Sequence, residues 1–178
     1  KSADQVIMPA PRESGTAADL LTAMIAEWGE DKTWELFDKL FDNGMIVQGA
    51  NGPALDQVTS GSKGIVFGGV DYSAYSAKGK GEPLEVVIPS SGTTVTPRPV
   101  MIMKSSDNMD AAKAFVDFMF SEEAQQISAS KNMIPSNKNV DPKNGPKLAE
   151  INQISDDWAA ISKESKNVRE QFADRYLK

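Results

Sequence analysis

The chain has 178 residues, of which 40% are hydrophobic, and a formal net charge of −6. This length suits one large domain or two small ones. The acidic balance and the lack of a Lys/Arg block argue against nucleic acid or an anionic membrane as the main partner. The absence of Cys and His excludes thiolate nucleophiles, Cys-ligated zinc and Ser-His-Asp triads, so the usual catalytic groups are missing.

Strands and helices alternate along the predicted chain, which indicates an α/β fold with a mostly parallel sheet covered by helices. The predicted strands cover residues 4–8, 45–48, 65–67, 84–88 and 100–103. The first two predicted helices end at Gly29 and Asn43, and two short ones follow, one over residues 54–59 and one that carries Tyr72 and Tyr75. A longer helix is predicted over 109–120, another begins at Ser121, and the last thirty residues are also predicted to be helical. Residues 89–99 are rich in Pro, Gly and hydroxyl side chains and are expected to be an extended connector.

The stretch "PRESGTAADL" places Ser14, Gly15 and Thr16 where the first helix begins, with Arg12 just upstream. Ser and Thr at this position usually cap unpaired N–H groups and bind nothing else. A Gly between two hydroxyls also lets a ligand approach the backbone, and a nearby Arg suits a phosphate, phosphonate, sulfate or carboxylate. On these residues alone, a plain cap and an anion site remain equal alternatives.

A second turn of the same kind follows the second strand. In "QGANGPALDQV", Gly49, Asn51 and Gly52 lead into a helix whose Pro53 suits a first helical position. Alone, this sequence is best explained as a plain glycine turn. Ligands of parallel sheets bind outside the carboxyl ends of the strands, where both turns are expected to lie. The pair therefore favours a binding site at that edge.

The stretch "GGVDYSAY" follows the third strand and contributes Asp71, Tyr72 and Tyr75. These side chains are candidates to bind a cationic group, to stack on a ligand or to coordinate a hard metal through oxygen. The alternative is structural: Asp71 caps the helix and the tyrosines pack with their hydroxyls exposed.

Several longer stretches, in order, resemble one protein family. They are "SGT" after a strand, "AEWGEDKTWELFDKL", "GPALDQVTSGSKGIVFGG", and "KGKGEPLEVVIPSSGTTVTPRPVMIMKSSDNMDAAKAFVDFMFSEEAQQI" followed by "IPSN". They resemble bacterial extracellular solute-binding proteins of ABC importers, in the group that includes ferric-iron, phosphonate and sugar-phosphate binders. The resemblance covers nearly all of the chain, and residues 82–135 are its most specific part.

The resemblance implies a periplasmic-binding-protein fold of the second type, in which two α/β lobes close on a ligand. Residues 1–96 would be the second lobe, 97–138 the hinge and return segment of the first lobe, and 139–178 C-terminal helices packing on the second. The N-terminal lobe would then be missing from this chain. An apolar stripe in the return segment would be hidden by self-association or by repacking on its own lobe; it comprises Met109, Ala112, Phe115, Val116 and Met119.

The resemblance also implies a ligand, a partner and a location. Ferric-iron binders of the group carry adjacent tyrosines where this chain has "VDYSAY", and with no doublet and no His iron is not the expected ligand. The "SGT" turn is intact, so a phosphonate or phosphate ester is preferred, with Asp71 meeting an amine on it. We expect an importer permease as partner, no cofactor, no catalysis, and a periplasmic or lipid-anchored extracellular location, the signal segment lying outside this chain. The alternatives are a ferric-iron binder using Tyr72 with a synergistic anion, and a periplasmic ligand-sensing domain.

Overall fold

The computed structural model of the protein describes residues 3–177 and confirms an α/β fold with a parallel sheet. The strands are β1 (Val6–Met8), β2 (Ile46–Val47) and β3 (Ile65–Val66). The helices are α1 (Gly15–Trp28), α2 (Glu30–Asp42), α3 (Asn51–Thr59), α4 (Asp71–Gly79), α5 (Met109–Met119), α6 (Glu122–Ser130) and α7 (Trp158–Tyr176). The sheet order is β2-β1-β3, and both pairings are parallel.

Local signals in the sequence explain where the helices begin and end. Ser14 is in extended conformation and its hydroxyl accepts from the Ala17 N–H, which caps α1. The predicted cap at Ser121 is confirmed, since its hydroxyl accepts from the Ala124 N–H at the start of α6. Gly29 ends α1 with a φ of 84°, a conformation that residues other than Gly rarely adopt.

The hydrophobic core lies where α1, α2 and α7 pack around the central strand. Phe37 of α2 and Phe172 of α7 are fully buried and meet edge to face, with ring centroids 5.5 Å apart. Phe41 stacks on Tyr176 at 4.3 Å, and the Tyr176 hydroxyl donates to the Asp38 carboxylate at 2.6 Å. These contacts fix α7 beside the helices that follow β1, although more than a hundred residues separate them in sequence.

The chain divides into two compact units. One contains the chain up to Thr96 and again from Asn152 onward, and it holds the sheet and the core described above. The other is Pro97–Ile151, with α5 and α6.

The second unit continues past α6 to Ile151. Hydrogen bonds hold the loop after α6 close to the helix. Asn139 Nδ2 donates to Glu122 Oε1 in α6 at 3.0 Å, and Asn144 Nδ2 donates to Asn132 Oδ1, just past the end of α6, at 2.7 Å. The assignment of these pieces to the two lobes of a binding protein stays a prediction.

Two predicted strands are wrong. Residues 84–88 and 100–103 are extended or irregular but belong to no strand of the described chain. Both segments have the apolar, β-branched composition that favours strands. A strand forms only where a neighbour supplies its hydrogen bonds, and these segments pair with none among residues 3–177. Within the same range, none of the helices has the length and apolar character needed to cross a bilayer.

Candidate functional site

The turns that follow β1 and β2 lie side by side. The two strands pair in parallel, with Ile7 opposite Ile46 and Met8 opposite Val47. Beyond the pairing, the Ala10 N–H donates to the Gly49 carbonyl at 2.8 Å. The start of α1 and the start of α3 therefore share the carboxyl edge of the sheet, as the sequence predicts.

A hydrogen-bonded cluster joins the two helix starts, and we call Ser14, Thr16 and Asn51 the SNT cluster. The Ser14 hydroxyl donates to Asn51 Oδ1 at 2.8 Å, and Asn51 Nδ2 donates to Thr16 Oγ1 at 3.3 Å. The two hydroxyls are themselves 3.1 Å apart. Ser14 is only 2% exposed, whereas Thr16 and Asn51 are half-buried and so border on solvent.

At both helix starts, some backbone N–H groups lack an acceptor among the residues that the structure describes. The first N–H groups of a helix have no partner in the helix itself. At the start of α1, the Ser14 hydroxyl accepts from the Ala17 N–H and the Ser14 carbonyl accepts from the Ala18 N–H. The N–H groups of Gly15 and Thr16 have no acceptor among residues 3–177. The N–H groups of Asn51 and Gly52 at the start of α3 also have no acceptor within that range. Four donors and two positive helix ends thus meet at one place, which favours an anion.

The glycines at these starts leave room for a ligand. A methyl group placed on Gly15 or on Gly52 would meet no atom within 4 Å. Gly49 has a different role: its φ of 64° allows the turn between β2 and α3. Arg12 is exposed in the turn before α1 and takes no part in the hydrogen bonds of the SNT cluster.

Asp71, Tyr72 and Tyr75 lie on α4, which follows β3 on the other side of β1. Asp71 is the first residue of the helix and its carboxylate accepts from the Tyr72 N–H at 2.8 Å. Burial raises the pKa of the Tyr75 phenol, and the negative charges of Asp71 and Glu85 raise it further.

One half-buried acid close to the site was missed at the sequence level. Asp19 lies one helical turn after Thr16 on α1, is half-buried, and hydrogen-bonds Thr96, the last residue before Pro97. Burial raises the pKa of Asp19, while the Thr96 bond and the charge of Arg169 lower it in part. Nothing in the sequence around Asp19 distinguishes it from an exposed helix acid, because its burial depends on residues far along the chain. No group of three His, Cys, Asp or Glu side chains able to hold a metal occurs within residues 3–177.

Comparison with solved structures supports the fold and gives one bound ligand in a similar protein. The periplasmic binding protein AfuA from Actinobacillus pleuropneumoniae, solved with exogenous fructose-6-phosphate bound, matches 98% of this chain and 56% of its own, with 26% identity and a TM-score of 0.78. The substrate binding protein of an ABC transporter from Agrobacterium tumefaciens matches 96% of this chain and 54% of its own. Its identity is 16% and its TM-score 0.73, so it bears on the fold alone.

Two curated proteins are similar to this chain in sequence. An uncharacterized protein of Haemophilus influenzae is 31% identical over 120 residues, which are 66% of this chain and 34% of the relative. A probable ABC transporter periplasmic-binding protein of Sinorhizobium fredii is 28% identical over 116 residues, or 64% of this chain and 32% of the relative. The chain thus spans about a third of the length of these curated relatives and about half of the solved structures. The family model for bacterial extracellular solute-binding proteins matches residues 3–163, and the chain belongs to that family.

Proposed function

We propose that this protein is the substrate-binding component of an ABC importer and that it takes a small solute carrying a phosphonate or phosphate ester. The anionic group would lie at the starts of α1 and α3, against the N–H groups of Gly15, Thr16, Asn51 and Gly52 and the Thr16 hydroxyl. The observation that carries the proposal is the Asn51 side chain, which bonds both Ser14 and Thr16 and so joins two helix starts. The first N–H groups of both helices find no acceptor in the described part of the chain.

The similarity to AfuA supports the ligand class, since that protein was solved with a sugar phosphate bound. The finer roles of Arg12 and Asp71 are part of the same proposal, which also includes Tyr72 as a ligand-binding side chain. Arg12 would add a positive charge next to the anion, and Asp71 would meet an amine where the solute has one. The protein would bind its solute without changing it, at an extracellular or periplasmic location, and would deliver it to an importer permease.

Replacing Thr16 with Val tests the site in the full-length protein. The change keeps the shape of the side chain and removes one hydroxyl donor to a charged group, which should cost about 1.5–3 kcal/mol of binding free energy, or about 10- to 150-fold in Kd. Titration calorimetry with fructose 6-phosphate and with methylphosphonate measures the loss.

A matched control is Thr59→Val, the same change at the far end of α3, where the hydroxyl donates only to the Asp56 carbonyl. It should leave the affinity within about twofold of the parent. Equal affinities for the parent and Thr16→Val, or no binding of any phosphate ester or phosphonate by the parent, would contradict the proposed function.

A further inference from the structure

The hydrogen bonds of the SNT cluster distinguish the roles of its members, and the inference drawn from them rests on the proposed function. We propose that Asn51 is a positioning residue: its side chain does not hold the anion but orients and polarises the Thr16 hydroxyl, which does. Ser14, in turn, holds Asn51 and makes no bond to the ligand.

Ser14 has a single hydroxyl hydrogen, and Asn51 accepts it. Asn51 Oδ1 can only accept, so in the 2.8 Å contact the Ser14 hydroxyl is the donor. The same oxygen already accepts from the Ala17 N–H at 3.2 Å. Ser14 is also 2% exposed. With its hydrogen used and its oxygen buried, Ser14 has nothing left to donate to a ligand.

The second step concerns Thr16. Asn51 Nδ2 donates to Thr16 Oγ1 at 3.3 Å, which occupies a lone pair of that oxygen. Because the Ser14 hydrogen points to Asn51, the 3.1 Å contact between the two hydroxyls can be made only with Thr16 as donor. The Thr16 hydrogen thus has two possible acceptors: the Ser14 oxygen or an oxygen of a bound anion.

The third step is energetic. A hydroxyl that accepts one hydrogen bond becomes a better donor of another, since chains of hydrogen bonds polarise one another. Ser14, Asn51 and Thr16 form such a chain, running from the buried cap of α1 through α3 and back to the half-buried second residue of α1. Asn51 therefore affects binding through Thr16, and removing both side chains should cost no more than removing Thr16 alone.

A double-mutant cycle in the full-length protein tests this, with calorimetric titration of fructose 6-phosphate. We expect Asn51→Ala to weaken binding between about twofold and tenfold in the parent, the range of one neutral hydrogen bond. In the Thr16→Val background the same change should have no further effect, because the hydroxyl that Asn51 orients is gone. Gln57→Ala, which removes a carboxamide from the same helix, is the control and should leave Kd unchanged.

Asn51→Asp provides a second variant that keeps the shape of the side chain. Its carboxylate can accept from Ser14 but cannot donate to Thr16, and it attracts the Thr16 hydrogen away from the ligand while repelling the anion. We expect a larger loss of affinity than for Asn51→Ala, at an unchanged melting temperature.

The outcomes distinguish the positioning role of Asn51 from the proposed function. If Thr16→Val weakens binding but the loss from Asn51→Ala persists in full in its background, Asn51 contacts the ligand itself and the positioning role is wrong. If Asn51→Ala and Asn51→Asp both bind as the parent does, the role is also wrong, while the proposed function stands. If the parent binds no phosphate ester or phosphonate, both fall together.

Discussion

Asp19 shows how one residue near the site links stability to pH. Its carboxyl hydrogen-bonds Thr96 and is affected by the charge of Arg169 on α7, and burial raises its pKa above the ordinary value of 3.8. An acid with a raised pKa binds its proton more tightly in the folded state than in the unfolded chain. Its contribution therefore favours folding at low pH and is lost as the pH rises through the folded pKa.

We expect Asp19→Asn to remove that dependence. Asn keeps the size of the side chain and its ability to bond Thr96, but carries no charge to bury. The free energy of unfolding of the parent, relative to the variant, should fall as the pH rises from 4 to 7, with a slope that for one group stays below about 1.4 kcal/mol per pH unit. Urea unfolding at several pH values measures it. Asp110→Asn, at an exposed position of α5, is the control. Parallel profiles for the parent and Asp19→Asn would contradict the prediction.

At the scale of elements, the core depends on a contact between helices distant in sequence. Phe172 of α7 is 0% exposed and meets Phe37 of α2 edge to face. The ordinary signals of an amphipathic helix predict that α2 and α7 each bury a face, but they do not predict that the two faces meet. Packing of this kind, rather than helix propensity, provides most of the stability of a helix in a folded protein.

Phe172→Ala should therefore lower the free energy of unfolding by about 3–5 kcal/mol, the range for a fully buried Phe that leaves a cavity. Val87→Ala, at a position 79% exposed in the same unit, should change it by less than about 0.5 kcal/mol. Tryptophan fluorescence is a suitable probe, because Trp28, Trp34 and Trp158 all lie in the unit that holds this core. Similar losses for the two variants would mean that α7 is not part of the cooperative core.

At the scale of the whole molecule, α5 is the feature that stands out. Its apolar stripe was expected to be hidden by repacking or by self-association. None of the residues of α5 is fully buried. Ala112, Val116 and Met119 are half-buried, and Phe115 is 58% exposed. Other exposed apolar side chains of the same unit include Met101, Met103, Phe118 and Phe120, and Met109 of the stripe is 37% exposed. An apolar surface of this kind is unusual on a free monomer. That it is hidden by self-association or by repacking on its own lobe stays a prediction, and self-association is the alternative that can be measured directly.

Light scattering coupled to size-exclusion chromatography, over a hundredfold range of concentration, tests that prediction on the 178-residue chain. We expect a mass that rises with concentration, and a return to the monomer when Phe115 and Phe118 are both changed to Lys, because a charge on that face cannot be buried cheaply. Val87→Lys, on the other unit, should not alter the association. A monomer at every concentration would show that the exposed stripe is tolerated in water.

The sequence by itself determined the features that depend on neighbours along the chain. The spacing of Leu21 and Met24 predicted a helix with one buried face, and Ser14 and Gly29 marked its ends, because caps and periodicity act over one to four residues. The prediction that the turns after β1 and β2 share an edge also followed from the alternation of strands and helices.

Only the tertiary structure decided the features that depend on distant partners. The bond from Ser14 to Asn51 spans 37 residues, and no local pattern tells a bridging Asn from one that merely ends a glycine turn. The hydrogen bond between Asp19 and Thr96 likewise joins residues far apart in sequence. Residues 84–88 and 100–103 have strand-like sequences but form no strand. Helix ends are set by the hydrogen bonds of the next few residues, whereas strands and buried polar clusters require a partner that sequence spacing does not specify.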